Sequence, residues 1–176
     1  RLQGEETGYY KSGEVEYKLI SSYDDFGFEI DEKIWYYKSG ETKEIWEFHK
    51  SGEVESKVNY VDGKRQGEKT GYYESGEVEY KITYVDDLRQ GEQIYYYESG
   101  EVEYKITYVD DLRQGEKIGY YESGEVKNKA NYLDGRLQGE ETGYYKSGEV
   151  EYKRIWIDDF GVEIKEKKTG YYESGE

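Results

Sequence analysis

The chain has no cysteine, one histidine, and no apolar stretch long enough to span a bilayer. Without cysteine there is no disulfide framework and no thiolate chemistry. With no run of about 18 apolar residues, no segment reads as a membrane-crossing helix, and no signal peptide is visible. The lone His49 leaves too few parts for His-based acid–base or nucleophilic catalysis. Aliphatic residues are also scarce, whereas tyrosine is abundant, with 24 Tyr against 4 Phe and 3 Trp. Burial must therefore come from aromatic rings lying across a sheet rather than from a compact aliphatic core. The remaining composition, low in hydrophobic residues and rich in charge, is of the kind that otherwise signals disorder. The regular spacing of Tyr, Val and Ile argues for a folded array.

The formal charge of −16 excludes nucleic acid as a natural partner, because a polyanion would meet a like-charged surface. Anionic membranes are disfavoured on the same ground. Lys and Arg nevertheless recur between the glutamates, so the charge is mixed and reads as a solvated sheet face. Composition is compatible with a surface or secreted location and with the cytoplasm alike.

A unit of about 24 residues organises the chain. Its core reads Tyr-Tyr-x-Ser-Gly-Glu-Val-x-x-Lys, then an Asp-Gly or Asp-Asp turn, then Gln-Gly-Glu. Tyr72–Glu92 and Tyr96–Glu116 are the same 21-residue string, and Arg1–Lys18 matches Arg136–Lys153. A fixed period of this length marks an array in which each unit leans on its neighbours. The Ser-Gly pairs at Ser12, Ser39, Ser51, Ser75, Ser99, Ser123, Ser147 and Ser174 are spaced by 27, 12, 24, 24, 24, 24 and 27. The expected organisation is one array over 1–176, with a super-repeat over 1–135 whose second copy begins at 136. The start without Met and in mid-repeat reads as a piece of a longer array.

Each unit is expected to form two antiparallel strands. In Glu68–Gln90, one strand runs over Glu68–Tyr73, Ser75-Gly76 makes a tight turn, and Val78–Val85 returns. Glycine supplies the positive φ that such turns need. Val78, Tyr80, Ile82 and Tyr84 alternate with Glu79, Lys81 and Thr83, a period of two that marks a half-buried strand. The charged stretch Glu29–Lys33 is open to either a strand or a short helix. A two-residue Ser-Gly loop, the preferred reading, sets Tyr73 opposite Val78 and Gly71 opposite Tyr80, with the Tyr80 ring over bare glycine backbone. Gly8 with Tyr17 and Gly143 with Tyr152 repeat that pairing. A three-residue loop with a bulge would shift the register by one.

The irregular intervals carry geometry. The segments Asp24-Asp25-Phe26-Gly27 and Asp158-Asp159-Phe160-Gly161 lengthen their units. Between Ser39 and Ser51 there is room for one strand only, which puts those two turns on opposite edges of a meander and later Ser-Gly turns on the edge of Ser51.

No catalytic residues are expected. His49 occupies the place of Tyr73 in its repeat and reads as a packing substitute. The carboxylates recur identically in every unit, whereas a catalytic pair needs environments that set two pKa values apart. No glycine-rich phosphate loop opens a helix, and no cofactor is implied. Asp86, Asp87, Asp110 and Asp111 are weak calcium candidates, since calcium takes many oxygen ligands; the competing reading is a turn in which Asp bonds local backbone.

The Tyr-Tyr pairs are the best binding candidates. Adjacent strand residues face opposite sides. One set, Tyr9, Tyr72, Tyr96, Tyr120, Tyr144 and Tyr171, is expected to form an accessible row. The other, Tyr10, Tyr17, Tyr73, Tyr80, Tyr84, Tyr97, Tyr104, Tyr108, Tyr121, Tyr145 and Tyr152, is expected to form a packed aromatic face. Tyrosine is favoured at interfaces for its large rigid surface and single hydroxyl. The alternative is that these rings only cover the sheet, stacked on lysine stems.

The stretches Asn59-Tyr60-Val61-Asp62-Gly63-Lys64-Arg65-Gln66-Gly67 and Tyr72-Tyr73-Glu74-Ser75-Gly76 resemble the MORN repeat, in the bacterial variant found in YwqK-type antitoxin-like proteins. The resemblance covers nearly the whole chain. It departs in using Ser-Gly where Asn-Gly is usual and Asp-Asp for Asp-Gly at residues 86–87 and 110–111. It implies an all-β fold: an elongated array of antiparallel β-hairpins forming one continuous twisted single-layer meander, of about fifteen strands. It also implies protein partners, or membranes in some members. The expected function is a non-enzymatic scaffold for protein–protein interaction, at a bacterial surface or in a toxin–immunity pair, through the sheet face or strand edges, including self-association. A second likeness, to aromatic hairpin repeats of cell-wall-binding modules, makes a glycan or cell-wall binder using the Tyr rows the alternative. Those modules lead with Trp, whereas Trp35, Trp46 and Trp156 are not periodic here.

Overall fold

The computed structural model describes residues 4–23, 29–156 and 165–167. The lengthened turns at 24–27 and 158–161, Tyr171 and Ser174 lie outside the described residues. The chain is all-β, an antiparallel meander of hairpins, with no helix among the described residues. Two compact units are formed, by residues Arg1–Leu88 and Arg89–Glu176.

In the first unit, β1 (Gly4–Tyr9), β2 (Val15–Tyr23), β3 (Glu29–Tyr36), β4 (Thr42–Phe48), β5 (Val54–Val61), β7 (Gly67–Tyr72) and β8 (Val78–Val85) pair in sequence order, and the short β6 (Lys64–Arg65) pairs with β5. Strand β9 (Leu88–Arg89) stands at the division. The second unit pairs β10 (Gly91–Tyr96), β11 (Val102–Val109), β12 (Leu112–Tyr120), β13 (Val126–Leu133), β14 (Arg136–Tyr144), β15 (Val150–Trp156) and β16 (Lys165–Lys167), again in order. In each unit the strands touch mainly their neighbours in sequence, so each is a single layer with no second layer packed on it. The stretch Glu29–Lys33 is strand. Its pairing to both β2 and β4 outweighs its charge.

The Ser-Gly turns have the longer of the two expected forms. Gly76 N–H donates to Tyr73 O and Tyr73 N–H donates to Glu77 O, both at 2.9 Å, which closes a three-residue loop with Gly76 at φ +88°. A glycine in this left-handed conformation forms the bulge that matches a type I turn to the strand twist. Six other Ser-Gly turns repeat the pattern, for instance Gly100 N–H to Tyr97 O at 2.9 Å. A second irregularity follows at once. Tyr72 pairs with Val78 and Gly71 with Tyr80, leaving Glu79 as an extra residue. The two irregularities cancel for Gly71, which is why the Gly71–Tyr80 pairing is as expected although the loop is not. Gly8–Tyr17 and Gly143–Tyr152 pair in the same way.

The Asp turns are two-residue loops in which both central residues have positive φ. Asp62-Gly63 shows 51° and 76°, and Asp86-Asp87 shows 50° and 72°. Gln-Gly-Glu then makes a wide bulge. In the second unit Lys105 pairs with Ile118 but Thr107 pairs with Gln114, so Gly115–Lys117 bow away from Ile106 and pair instead with β13. Val58, Ile106 and Ala130 sit opposite such bulges and are among the few fully buried apolar side chains. The core is thus thin: Val58, Ile82, Ile106 and Ala130, joined by the rings of Tyr84 and Tyr108.

The candidate functional site: two rows of rings

Where glycine faces tyrosine, the ring lies flat on the backbone. A Cβ at Gly71 would stand only 2.7 Å from Cδ1 of Tyr80, and Gly8 and Gly143 are covered in the same way by Tyr17 and Tyr152. Each ring sends its hydroxyl to the residue two positions before the glycine. Tyr17 donates to Glu6 at 2.9 Å and Tyr152 donates to Glu141 at 3.1 Å; Tyr80 meets Lys69. Burial, foremost, and the charge of Glu141 raise the hydroxyl pKa of Tyr152. In the β10–β11 hairpin Tyr95 replaces the glycine, and Tyr104 stacks on it instead, with ring centroids 4.3 Å apart.

The second tyrosine of each pair serves a different purpose. Tyr10, Tyr97 and Tyr121 donate their hydroxyls to the carbonyl oxygens of Tyr36, Tyr120 and Tyr144, each at 2.7 Å. Each bond ties one hairpin turn to the next. His49 takes the same place: its Nε2 meets the Tyr72 carbonyl oxygen at 2.8 Å, which requires the proton on Nε2. Tyr73 and Tyr145 stand at the equivalent positions, half-buried.

Of the accessible row, Tyr9 is 61% exposed. Tyr72, Tyr96, Tyr120 and Tyr144 are half-buried, and Tyr171 lies outside the described residues. Tyr36 belongs in this row, because its carbonyl receives Tyr10 as that of Tyr120 receives Tyr97. Sequence reasoning missed it because Ile34-Trp35 replaces the usual Thr-Gly before the pair; the Tyr-Tyr-Lys-Ser-Gly string was the available signal.

The packed set does not share one face in the first unit. Glu6, Leu19, Lys33, Trp46, Lys57 and Thr70 stand directly opposite one another across successive strands. Tyr17 and Trp35, two residues along from Leu19 and Lys33, share that face. Gly71 and Tyr80, adjacent to Thr70 and Lys81, lie on the other, together with Tyr84. The single strand β4 between two Ser-Gly turns reverses the sides. Tyr72 consequently joins the Tyr17 face. There Tyr17, Trp35 and Trp46 pack in tilted pairs with ring centroids 5.3 and 6.1 Å apart, Lys33 caps Tyr17 and Trp35, and Lys57 lies between Trp46 and Tyr72. In the second unit the line Tyr95–Tyr104–Gly119–Asn128–Gly143–Tyr152 keeps to one face, and Tyr108 shares it.

At the Asp-turn edge, Arg65 lies 4.3 Å from the centre of the Tyr84 ring and Arg89 the same distance from that of Tyr108. Tyr84 and Tyr108 are 8% and 5% exposed, the most buried rings among the described residues. Asp87 and Asp111 bind those arginines. Asp86 pairs with Lys64 at 4.0 Å and its N–H donates to Gln66 Oε1 at 2.8 Å, and Asp110 takes the Gln90 amide. Of the four calcium candidates, Asp87 and Asp111 are thus engaged by guanidinium groups.

A ring row of this kind, repeated every two strands and tied turn to turn, is matched by a family profile described as a MORN repeat variant, over residues 2–25, 65–86, 89–110, 113–134 and 137–158. The chain belongs to the MORN repeat family. MORN repeats are in general protein- or membrane-binding modules and form scaffolds rather than catalytic centres. Among the described residues no helix is long and apolar enough to cross a membrane. No curated protein matches the chain. Among solved structures, a GtfA/B complex bound to UDP and GlcNAc is 17% identical with a TM-score of 0.28, over 73% of this chain and 24% of that one. The chain therefore spans about a quarter of that protein's length. A porin-like protein from Bacteroides uniformis is 12% identical with a TM-score of 0.27, over 90% of this chain and 85% of that one.

Proposed function

We propose that this MORN array is a protein-binding scaffold whose contacts are the first tyrosines of the pairs: in the first unit Tyr9 and Tyr36 on one face and Tyr72 on the other, and in the second unit Tyr96, Tyr120 and Tyr144 on one face. The reading is carried by one observation: in a single-layer unit these rings recur half-exposed, and no second layer of the fold covers them. Among the second tyrosines, Tyr10, Tyr97 and Tyr121 are spoken for by backbone carbonyls, so they hold neighbouring hairpins together. Lysine and arginine cap many of the remaining rings, for instance Lys33 on Tyr17 at 3.9 Å. A capped ring offers no bare face for a sugar to stack on, which favours a protein partner over a glycan. Rings bordered by mixed charge suit an interface in which aromatic anchors supply affinity and charges supply selectivity.

The test is copurification with wild type, Tyr72→Ala/Tyr96→Ala, and the charge exchange Glu68→Lys/Lys81→Glu, a pair 3.8 Å apart. Loss of the partner by about tenfold or more in both variants is expected. Recovery of glycans on an array, with the charge exchange silent, would replace this reading by cell-wall binding. Concentration-dependent sedimentation without any partner would replace it by self-association.

A further inference from the structure

One repeat lacks its ring. Asn128 stands where Tyr17, Tyr80, Tyr104 and Tyr152 stand in the others, directly opposite Gly119. Gly119 keeps the glycine backbone that elsewhere floors a phenol, but here the small Asn128 amide group covers it in place of a ring. An open hollow of about 200 Å³ results, lined by Tyr97, Glu103, Tyr104, Lys117, Gly119 and Asn128 among others.

The other repeats show what this position is shaped for. The hydroxyl of each glycine-covering ring goes to the residue two before the glycine: Glu6, Lys69 and Glu141 for Tyr17, Tyr80 and Tyr152. The equivalent residue before Gly119 is Lys117. Its ammonium forms no ion pair among the described residues and lies 4.3 Å from the centre of the Tyr104 ring. Burial, foremost, and the charge of Arg113 lower its pKa, which marks an ammonium short of compensating partners. Wall and hydroxyl partner are present, and the ring is absent. The opposite face of Tyr104 is occupied by Tyr95, so the wall is held rigid.

We infer that the hollow beside Asn128, walled by Tyr104, receives a phenolic ring from outside the chain, a tyrosine side chain of a protein that reaches this face of the sheet, opposite the Tyr96, Tyr120 and Tyr144 side chains, with its hydroxyl on Lys117. That the donor is a protein rests on the scaffold reading above; the ring site itself does not. A phenol fits better than a saccharide because the chain itself fills the position opposite this glycine with tyrosine three times, in one of them, Gly71–Tyr80, with a lysine as the hydroxyl's partner.

The experiment is a titration of the full ¹⁵N-labelled chain with p-cresol, toluene and methyl glucoside. Saturable shifts centred on Lys117, Gly119 and Asn128 are expected with p-cresol. Asn128→Tyr, which supplies the missing ring, should weaken p-cresol binding at least tenfold and raise the Tm. Lys117→Met should weaken p-cresol several-fold and leave toluene unchanged. Shifts scattered over all repeats, undiminished p-cresol binding to Asn128→Tyr, or methyl glucoside outcompeting p-cresol would overturn the inference. Should Asn128→Tyr fail to fold, equal losses of p-cresol and toluene in Lys117→Met would overturn it alone. A failed p-cresol titration leaves the copurification result standing, so the two readings fail separately.

Discussion

The carboxylate of Asp87 accepts two hydrogen bonds from Arg65, one from its backbone N–H at 2.9 Å and one from Nε at 3.1 Å. Arg65 also donates from Nη2 to the Asp87 carbonyl at 3.0 Å, and Asp87 N–H returns a bond to Arg65 O at 3.1 Å. Successive Asp turns are joined by this four-bond clasp, which Arg89 and Asp111 repeat. Asp87 holds φ +72°, a conformation that favours glycine. The chain itself supplies the comparison. Gly135 stands in the equivalent position for Arg113; the backbone bond to Arg113 O persists at 2.9 Å, but the guanidinium turns to the Tyr108 hydroxyl at 3.2 Å.

Substitution at Asp87 should therefore separate conformation from clasp. Asp87→Ala loses the clasp and keeps the unfavourable φ, so it should lower the Tm most. Asp87→Gly loses the clasp but relieves the φ, so it should lower the Tm least, with Asp87→Asn between them. Hydrogen bonds from the Arg65 backbone, foremost, and from its side chain hold the Asp87 carboxyl below its ordinary pKa of 3.8. An acid with a depressed folded-state pKa stabilises above the unfolded value and loses that contribution as pH falls through the folded one. Wild type and Asp87→Asn melts should thus converge as pH falls below about 3.8, and parallel curves across that window would contradict the clasp.

Gly71→Ala places a methyl inside the Tyr80 ring. Overpacking of this kind costs about 1–3 kcal/mol. The double variant Gly71→Ala/Tyr80→Ala should be less destabilised than the sum of the single variants, because the ring that clashes is gone. Additive losses in denaturant melts would show that Gly71 is needed for another reason.

The turn-to-turn bonds predict a functional equivalence between unlike residues. Tyr97→Phe removes a hydroxyl that donates to Tyr120 O and should cost about 0.5–1.5 kcal/mol. His49→Tyr should be nearly neutral, since a phenol at this place makes the same bond elsewhere, whereas His49→Phe should lose about as much as Tyr97→Phe. If His49→Phe and His49→Tyr melt together, the Nε2 contact to Tyr72 is not a support.

Much of this was readable before the structure. Alternation in Val78–Val85 gave the strands, and the small size of Gly71 opposite Tyr80 gave the ring-on-backbone contact. The Ser75-Gly76 loop was not readable, because a glycine with positive φ serves the two-residue and the three-residue loop alike; only the Tyr73–Glu77 bond separates them. The clasp was hidden because Arg65 and Asp87 are 22 residues apart and meet only once repeats stack. His49 was placed correctly by its position in the unit, although its bond was not foreseen. Asp86-Asp87 looked like a set of cation ligands because side-chain direction at a turn cannot be read from spacing.

Strand β4 has a lasting consequence. Duplications that add a whole hairpin leave the orientation of every later ring untouched, whereas adding one strand turns all of them over. Within the first unit, a partner that grips Tyr17 approaches from one side, and a partner that grips Tyr80 approaches from the other. Parity of insertion thus becomes an inherited variable in its own right: a slip of twelve residues can re-aim a binding surface without altering a single contact residue.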